Sequence, residues 1–351
     1  MEIVKKLRKF GEEIYSDLMN GRFPVVKIPD RSTKNIKYDR RRREYVLGKR
    51  VLRRSTKNVA HLRSFTQLVW IAYFTKQLIE AGKTSTLRDV FYSSQAYQVP
   101  FKDQKESNEI VMDLEAILNT PREEFNIIPE ERSSIFGDLT VEFTLPGYEG
   151  RRINLTSHPD GLMIGHALRT ADFIETSAER VFVIEKGGIF TRFIEEGVHK
   201  RYKAILINTM GQAPRSTRYL IRRLNKELGL PVYIFTDADP WGVHISMVII
   251  SGSANSAHIR ELATPDAKWI GVWATDIEKY RLPYDRLSDM DVKRLLELKN
   301  DIRYQNSFWQ GQINKFLEIK KKSEQEAFAK YGLTFIVDKY LRDKMEQVST
   351  L

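Results

Sequence analysis

The sequence predicts an α/β multidomain protein in which a winged helix-turn-helix domain precedes a parallel-sheet domain. Three observations lead there. Between residues 64 and 160, three helical patterns are followed by two alternating segments around a Pro-Gly turn. After residue 165 the pattern changes to strands alternating with helices, which is how a parallel sheet is written in sequence. Two of those strands end in acids, at the edge where an open α/β sheet presents its ligand site. Residues 1–63 stand apart as an N-terminal helix and a basic arm.

Taken in order, Ile3, Leu7, Phe10, Ile14 and Leu18 recur at helical spacing and predict an amphipathic helix. In the arm, Tyr45–Leu52 predicts a short strand pair. A dense apolar run from Ser64 to Glu80 predicts a buried helix that stops at Ala81-Gly82. Thr86 with Asp89 three residues on is a capping box, opening a helix that carries Phe91 and Tyr92. Asp103 and Glu106 repeat that signature before a third helix with the face Ile110, Leu114, Ile117 and Leu118. Leu139–Leu145 and Arg152–Thr156 predict the hairpin that would serve as wing. Strands are then expected at 181–185, 203–208, 231–236 and 268–273, with a helix over Thr217–Leu228 exposing Arg218, Arg222 and Arg223. Beyond about residue 276 the chain is helix-rich and charged, ending in an amphipathic Phe335–Met345.

Composition narrows the function classes. The chain has 351 residues, is 42% hydrophobic and contains no cysteine, so disulfides, thiolate nucleophiles and Cys-ligated zinc are excluded. No apolar run approaches the ~20 residues that span a bilayer, and the first residues lack a secretory signal. A soluble intracellular protein is expected. The net charge of +11 is concentrated: residues 31–63 hold 13 Lys/Arg against Asp39 and Glu44, which accounts for the whole excess. Such concentration predicts a polyanion contact, with Arg40, Arg41, Arg42, Arg43, Lys49, Arg50, Arg53 and Arg54 as candidate DNA-binding residues. A solvated arm with no ligand is the plain alternative.

The chemistry-bearing residues are few. Val181–Lys186 reads as an apolar strand ending in Glu185, and Tyr233–Pro240 as a second strand ending in Asp237 and Asp239. Side chains two apart on extended chain point the same way. The two aspartates can therefore face one hard cation such as Mg2+, with Glu185 arriving from a neighbouring strand. Such an ion polarises a phosphate oxygen and stabilises a leaving alkoxide. Tyr92 supplies a nucleophile where cysteine is missing. At a pKa of about 10 its phenolate is roughly one part in a thousand at neutral pH, a deficit of about 4 kcal/mol that a cation or base must offset. Arg88, one helical turn earlier on the same face, is the local candidate. Tyr97 competes without such an arginine. Ala81-Gly82-Lys83-Thr84 fails as a phosphate loop, because Gln77 stands where its first glycine belongs.

These residues resemble the A-subunit family of archaeal topoisomerase VI, related to the meiotic transesterase that makes double-strand breaks. The resemblance runs from about residue 60 to the end. It rests on Leu87-Arg88-Asp89-Val90-Phe91-Tyr92, Pro129-Glu130-Glu131-Arg132-Ser133, Val183-Ile184-Glu185-Lys186 and Thr236-Asp237-Ala238-Asp239-Pro240-Trp241-Gly242. It implies a winged-helix domain bearing the nucleophile and a Toprim domain binding Mg2+ over 165–351. It further implies a homodimer gating double-stranded DNA, and an ATPase B subunit completing an A2B2 heterotetramer and binding the ATP. Carried over residue by residue, Tyr92 is the nucleophile, Arg88 its helper, and Glu185, Asp237 and Asp239 the metal acids. Relatives often have Tyr-Tyr where this chain has Phe91-Tyr92. The expected activity is that of a type II, ATP-hydrolysing DNA topoisomerase subunit, cytoplasmic and nucleoid-associated. A stand-alone break-forming relative, a metal-dependent Toprim nuclease or primase, and a non-catalytic DNA-binding scaffold remain alternatives.

Overall fold

The computed structural model describes residues 2–349, which fall into two compact units. The first comprises residues up to Lys37, Tyr45–Glu130 and Ala254–Arg260. The second comprises Tyr38–Glu44, Glu131–Ser253 and the chain from Glu261 onward.

In the first unit, α1 (Glu2–Met19) buries Ile3, Leu7 and Phe10, while Leu18 at its far end is exposed. The arm contains β1 (Val25–Pro29), β2 (Ile36–Asp39), β3 (Glu44–Leu47) and β4 (Val51–Ser55), of which the stretch Tyr38–Glu44 around the β2–β3 turn belongs to the second unit. Here the pairing departs from the sequence expectation. Tyr45–Leu52 does not close on itself: β3 pairs with β2 and β4 with β1. The β1–β4 ladder buries Val26 and Ile28 on one face, a period-2 pattern that fixes its register. Then come α2 (Val59–Glu80), α3 (Leu87–Ala96) and α4 (Gln104–Leu118). Their apolar faces meet in one core with Phe65, Leu68, Ile71, Val90, Ile110 and Leu114. Thr86 and Asp89 form the full capping box of α3. At α4 only half of the signature forms, because Glu106 accepts from Lys102 N rather than from the cap residue Asp103.

The second unit is built on a six-stranded sheet of β5 (Ser134–Phe136), β8 (Leu162–Met163), β10 (Arg180–Ile184), β11 (Ala204–Asn208), β12 (Val232–Phe235) and β13 (Lys268–Gly271). Its order is β13-β12-β10-β11-β5-β8; the first four strands run parallel, and β5 and β8 are antiparallel additions. The parallel strands read as apolar runs because helices cover both faces. All five residues of β11 are buried. The hairpin β6 (Leu139–Glu142) and β7 (Arg152–Asn154) joins neither the three helices nor this sheet. It pairs with β9 (Asp172–Thr176) in a three-stranded sheet of the second unit.

The connecting helices are α5 (His166–Thr170), α6 (Gly187–Glu195), α7 (Val198–Arg201), α8 (Arg215–Glu227), α9 (Pro240–Ser251) and α10 (Ala274–Lys279). Along α8, Arg218 is buried and Arg223 donates to the carbonyls of Arg169 and Ala171 while lying over the Phe173 ring, so these arginines are structural rather than exposed. The C-terminal part holds the short pair β14 (Asp285–Arg286) and β15 (Lys321–Lys322) with α11 (Asp289–Asn300), α12 (Ser307–Ile319) and α13 (Leu341–Ser349). No helix among the described residues is long and apolar enough to cross a membrane.

Candidate active site

Glu185 directly follows β10, and Asp237 stands two residues beyond β12. Because β10 and β12 are parallel neighbours, both acids emerge at the same carboxyl edge of the sheet. The Asp237 N–H donates to Glu185 Oε2 at 3.1 Å. Asp237 Oδ1 accepts the backbone N–H of Gln325 at 2.9 Å, and its Oδ2 lies 3.1 Å from Lys186 Nζ. Lys186 also reaches Glu324 Oε1 at 3.7 Å. The segment that brings Glu324 and Gln325 here is tied to the acid loop by two exchanged bonds, Ala238 N–H to Ser323 O (2.8 Å) and Ser323 N–H to Ala238 O (3.0 Å).

Asp239 is the N-cap of α9, and its Oδ1 accepts from Gly242 N–H at 2.6 Å. Pro240 suits the first helical position, where the missing N–H has no partner to lose. Gly242 is required by close approach: a Cβ there would overlap the Asp237 carbonyl oxygen. The Pro-Trp-Gly run thus starts a helix against the backbone of the acid loop.

The electrostatics follow from burial. Glu185 is pushed up to about 7, first by desolvation and then by the neighbouring Asp237 charge. Asp237 is pushed up to about 6 by desolvation, against the lowering pull of the Gln325 N–H and Lys186. Desolvation also raises Asp239, opposed by its bonds to the start of α9.

The sequence predicts three carboxylates converging on one ion; the structure bonds the Asp237 backbone to the Glu185 side chain and leaves the Asp239 charge close enough to raise both acids. No group of three or more His, Asp or Glu side chains suited to a metal is assembled among the described residues. The reason is local. Asp239 is turned to cap α9, and the Lys186 ammonium holds one oxygen of Asp237. The Glu185–Asp237 pair does fit a hard divalent ion: oxygen donors, little solvent, and more negative charge than one ammonium neutralises. Lys186, Glu324 and Gln325 escaped the sequence reading as site residues. The only signal for Lys186 is its adjacency to Glu185; the 323–326 segment carries none.

Tyr92 lies on α3 with 55% of its surface exposed, its ring edge-on to Phe91 at 5.3 Å. Among the described residues its hydroxyl has no hydrogen-bond partner, and the exposed Arg88 has no ion pair. Tyr97 differs. Its hydroxyl donates to Gln77 Oε1 at 3.3 Å and its ring packs against Trp70. Tyr92 belongs to the first unit, and Glu185, Asp237 and Asp239 to the second.

The basic arm is not uniformly free. Arg54 pairs with Asp113 at 2.6 Å and Arg31 with the same carboxylate at 2.8 Å; Arg50 pairs with Asp30 at 3.1 Å. Asp39 accepts the backbone N–H groups of Arg41 and Arg42, shaping the turn between β2 and β3, and lies 3.7 Å from the Arg42 guanidinium. Arg40, Arg41, Arg43, Lys49 and Arg53 are exposed and make no side-chain ion pair among the described residues.

Two family models match the chain: the Toprim domain of the topoisomerase 6 A-subunit/Spo11 family over residues 180–345, and Type IIB DNA topoisomerase over 63–127. Among curated relatives, the A subunit of Type 2 DNA topoisomerase 6 from Methanothermobacter thermautotrophicus is 46% identical over 349 residues, covering 98% of this chain and 97% of the relative. That of Archaeoglobus fulgidus is 38% identical, covering 97% and 96%. That of Halobacterium salinarum is 38% identical, covering 99% and 96%. With the acid pair at the carboxyl edge of its parallel sheet, an exposed tyrosine on a capped helix and similarity along nearly its whole length, the chain belongs to the family of type 2 DNA topoisomerase 6 A subunits.

Proposed function

We propose that this chain is the DNA-cleaving subunit of a type IIB topoisomerase and cuts duplex DNA by tyrosyl transesterification. The observation that carries the reading is an exposed tyrosine hydroxyl without a partner among the described residues, one helical turn from an unpaired arginine, in a chain of this family. Tyr92 Oη attacks the backbone phosphorus. A P–O bond to tyrosine forms, the bond to the 3′ oxygen breaks, and that oxygen leaves as a hydroxyl after taking a proton. The 5′-phosphotyrosine conserves the bond energy, so the reverse attack reseals the strand. Arg88, exposed and without an ion pair among the described residues, would face phosphate charge. Glu185 and Asp237 would hold Mg2+, with Asp239 fixing the helix start beside them. When bound, that ion offsets charge on the phosphate and the leaving oxygen.

The same reading includes a homodimer that cuts both strands, double-stranded DNA against Arg40–Arg43, Lys49 and Arg53, and a separate ATPase B subunit in an A2B2 assembly. It places the protein in the cytoplasm, on the nucleoid. We read α2–α4 as the helical part of a winged-helix domain whose wing is the β1–β4 ribbon, and place its boundary with the Toprim domain near residue 130.

The test is incubation with supercoiled DNA, Mg2+ and an ATPase partner, followed by denaturation. Protein covalently attached to DNA 5′ ends supports the proposal. Cleavage without an adduct would favour a Toprim nuclease, and an adduct formed without the partner would favour a stand-alone break-forming relative.

A further inference from the structure

Lys186 sits at the N-cap position of α6, directly after Glu185, so its backbone is fixed between strand and helix. Its ammonium lies at the end of a flexible four-carbon stem, 3.1 Å from Asp237 Oδ2 and 3.7 Å from Glu324 Oε1. The two carboxylates differ in setting: the Asp237 side chain is 8% exposed and that of Glu324 is 66% exposed. Glu326 adds a further negative charge near the same ammonium. The segment carrying Glu324 cannot drift away, because Ser323 is bonded to Ala238 and the Gln325 N–H is bonded to Asp237 itself.

A divalent ion on Asp237 and the ammonium held 3.1 Å from its Oδ2 would repel one another, so the two compete for that carboxylate. We propose that Lys186 is a built-in counter-ion of the acid pair, which yields Asp237 to the incoming divalent ion and swings out to Glu324. This rests on the metal reading of Glu185 and Asp237. Lys186 then acts as a positioning residue. It keeps the buried acids paired before the ion arrives, and it lowers the net affinity so that the ion exchanges. Glu324 is the landing point that makes the exchange possible.

The two residues make opposite demands on metal affinity, and a merely structural role does not produce that pattern. Mn2+ is titrated into the full chain without DNA, with the free ion followed by electron paramagnetic resonance. Lys186→Met removes the competitor and should tighten Mn2+ binding about fivefold. Glu324→Gln removes the landing point and should weaken it about threefold. Lys186→Arg keeps the charge and should bind as the parent does. Glu324 is a surface residue, so its variant serves even if the Lys186→Met protein folds poorly. Asp237→Asn should abolish binding. If the parent binds no Mn2+, or Asp237→Asn leaves binding intact, the metal reading itself fails. If binding depends on Asp237 but Lys186→Met does not tighten it, or Glu324→Gln does not weaken it, the counter-ion exchange is overturned while the metal site stands.

Discussion

The backbone N–H of Asp237 donates to the side chain of Glu185 at 3.1 Å, so two acids 52 positions apart in sequence are bonded across the ends of β10 and β12. Each is desolvated, and the Asp237 charge adds to the desolvation of Glu185. That arrangement is costly without a cation, and the cost has a pH signature.

Glu185 rises from 4.5 to about 7 and Asp237 from 3.8 to about 6. The folded chain therefore holds protons that the unfolded chain has released, and stability falls as pH climbs through about 4 to 7. Glu185→Gln should flatten the upper part of that slope in metal-free denaturant titrations at several pH values. A slope unchanged in Glu185→Gln would mean that Glu185 is not strained by its surroundings.

Gly242→Ala puts a methyl group against the Asp237 carbonyl oxygen at the start of α9. The backbone must shift, at a cost of about 1–3 kcal/mol. Chemical denaturation should show that loss, and Mn2+ binding should weaken with it because the acid loop moves. Parental values for both would dissociate the helix start from the acid site.

The exposed and the paired arginines of the arm carry separate expectations. Replacing Arg40, Arg41 and Arg43 by Gln should weaken DNA binding and flatten its salt dependence, by about 0.9 in log–log slope for each phosphate no longer neutralised. Arg54→Gln should act on stability instead, by about 1–2 kcal/mol, since Asp113 is nearly buried and loses one of its two partners. Salt-dependent affinity and denaturation measured on both variants separate the two effects. An unchanged slope in the triple variant would remove the arm from the DNA interface.

These cases show what the sequence makes legible. The parallel strands announce themselves as apolar runs, and Glu185 and Asp237 are visible because a charge at the end of such a run has few places to be. Thr86 and Asp89 mark the start of α3 because capping is local chemistry. What stays hidden is long-range pairing. Nothing near Tyr45 says that β3 turns back on β2 while β4 goes to β1, and nothing near Leu139 says that its hairpin meets β9. Arg54 looks like any other arm cation until Asp113 is folded against it. Glu324 and Gln325 reach the acid loop through an isolated bridge between Ala238 and Ser323 and the Gln325 N–H bond to Asp237, too short to leave a pattern.

Tyr92 lies in one unit and the acids in the other; the proposed homodimer therefore carries the expectation that tyrosine and acids come from different protomers. Tyr92→Phe and Glu185→Ala chains, each inactive alone, should nick one strand when mixed with the ATPase partner. The DNA should be attached only to the Glu185→Ala chain. With protomer exchange confirmed by tags, an absence of nicking would place tyrosine and acids in the same chain.

If Tyr92 is the attacking group, it is the residue that carries the DNA, and that residue can be identified. Adducts trapped by denaturation are digested with nuclease and protease, and the modified peptide is sequenced by mass spectrometry. A phosphotyrosyl nucleotide is expected on Tyr92, with none on Tyr97, whose hydroxyl is held by Gln77. A nucleotide on Tyr97 or on any other side chain, or an adduct that persists in Tyr92→Phe, would contradict it.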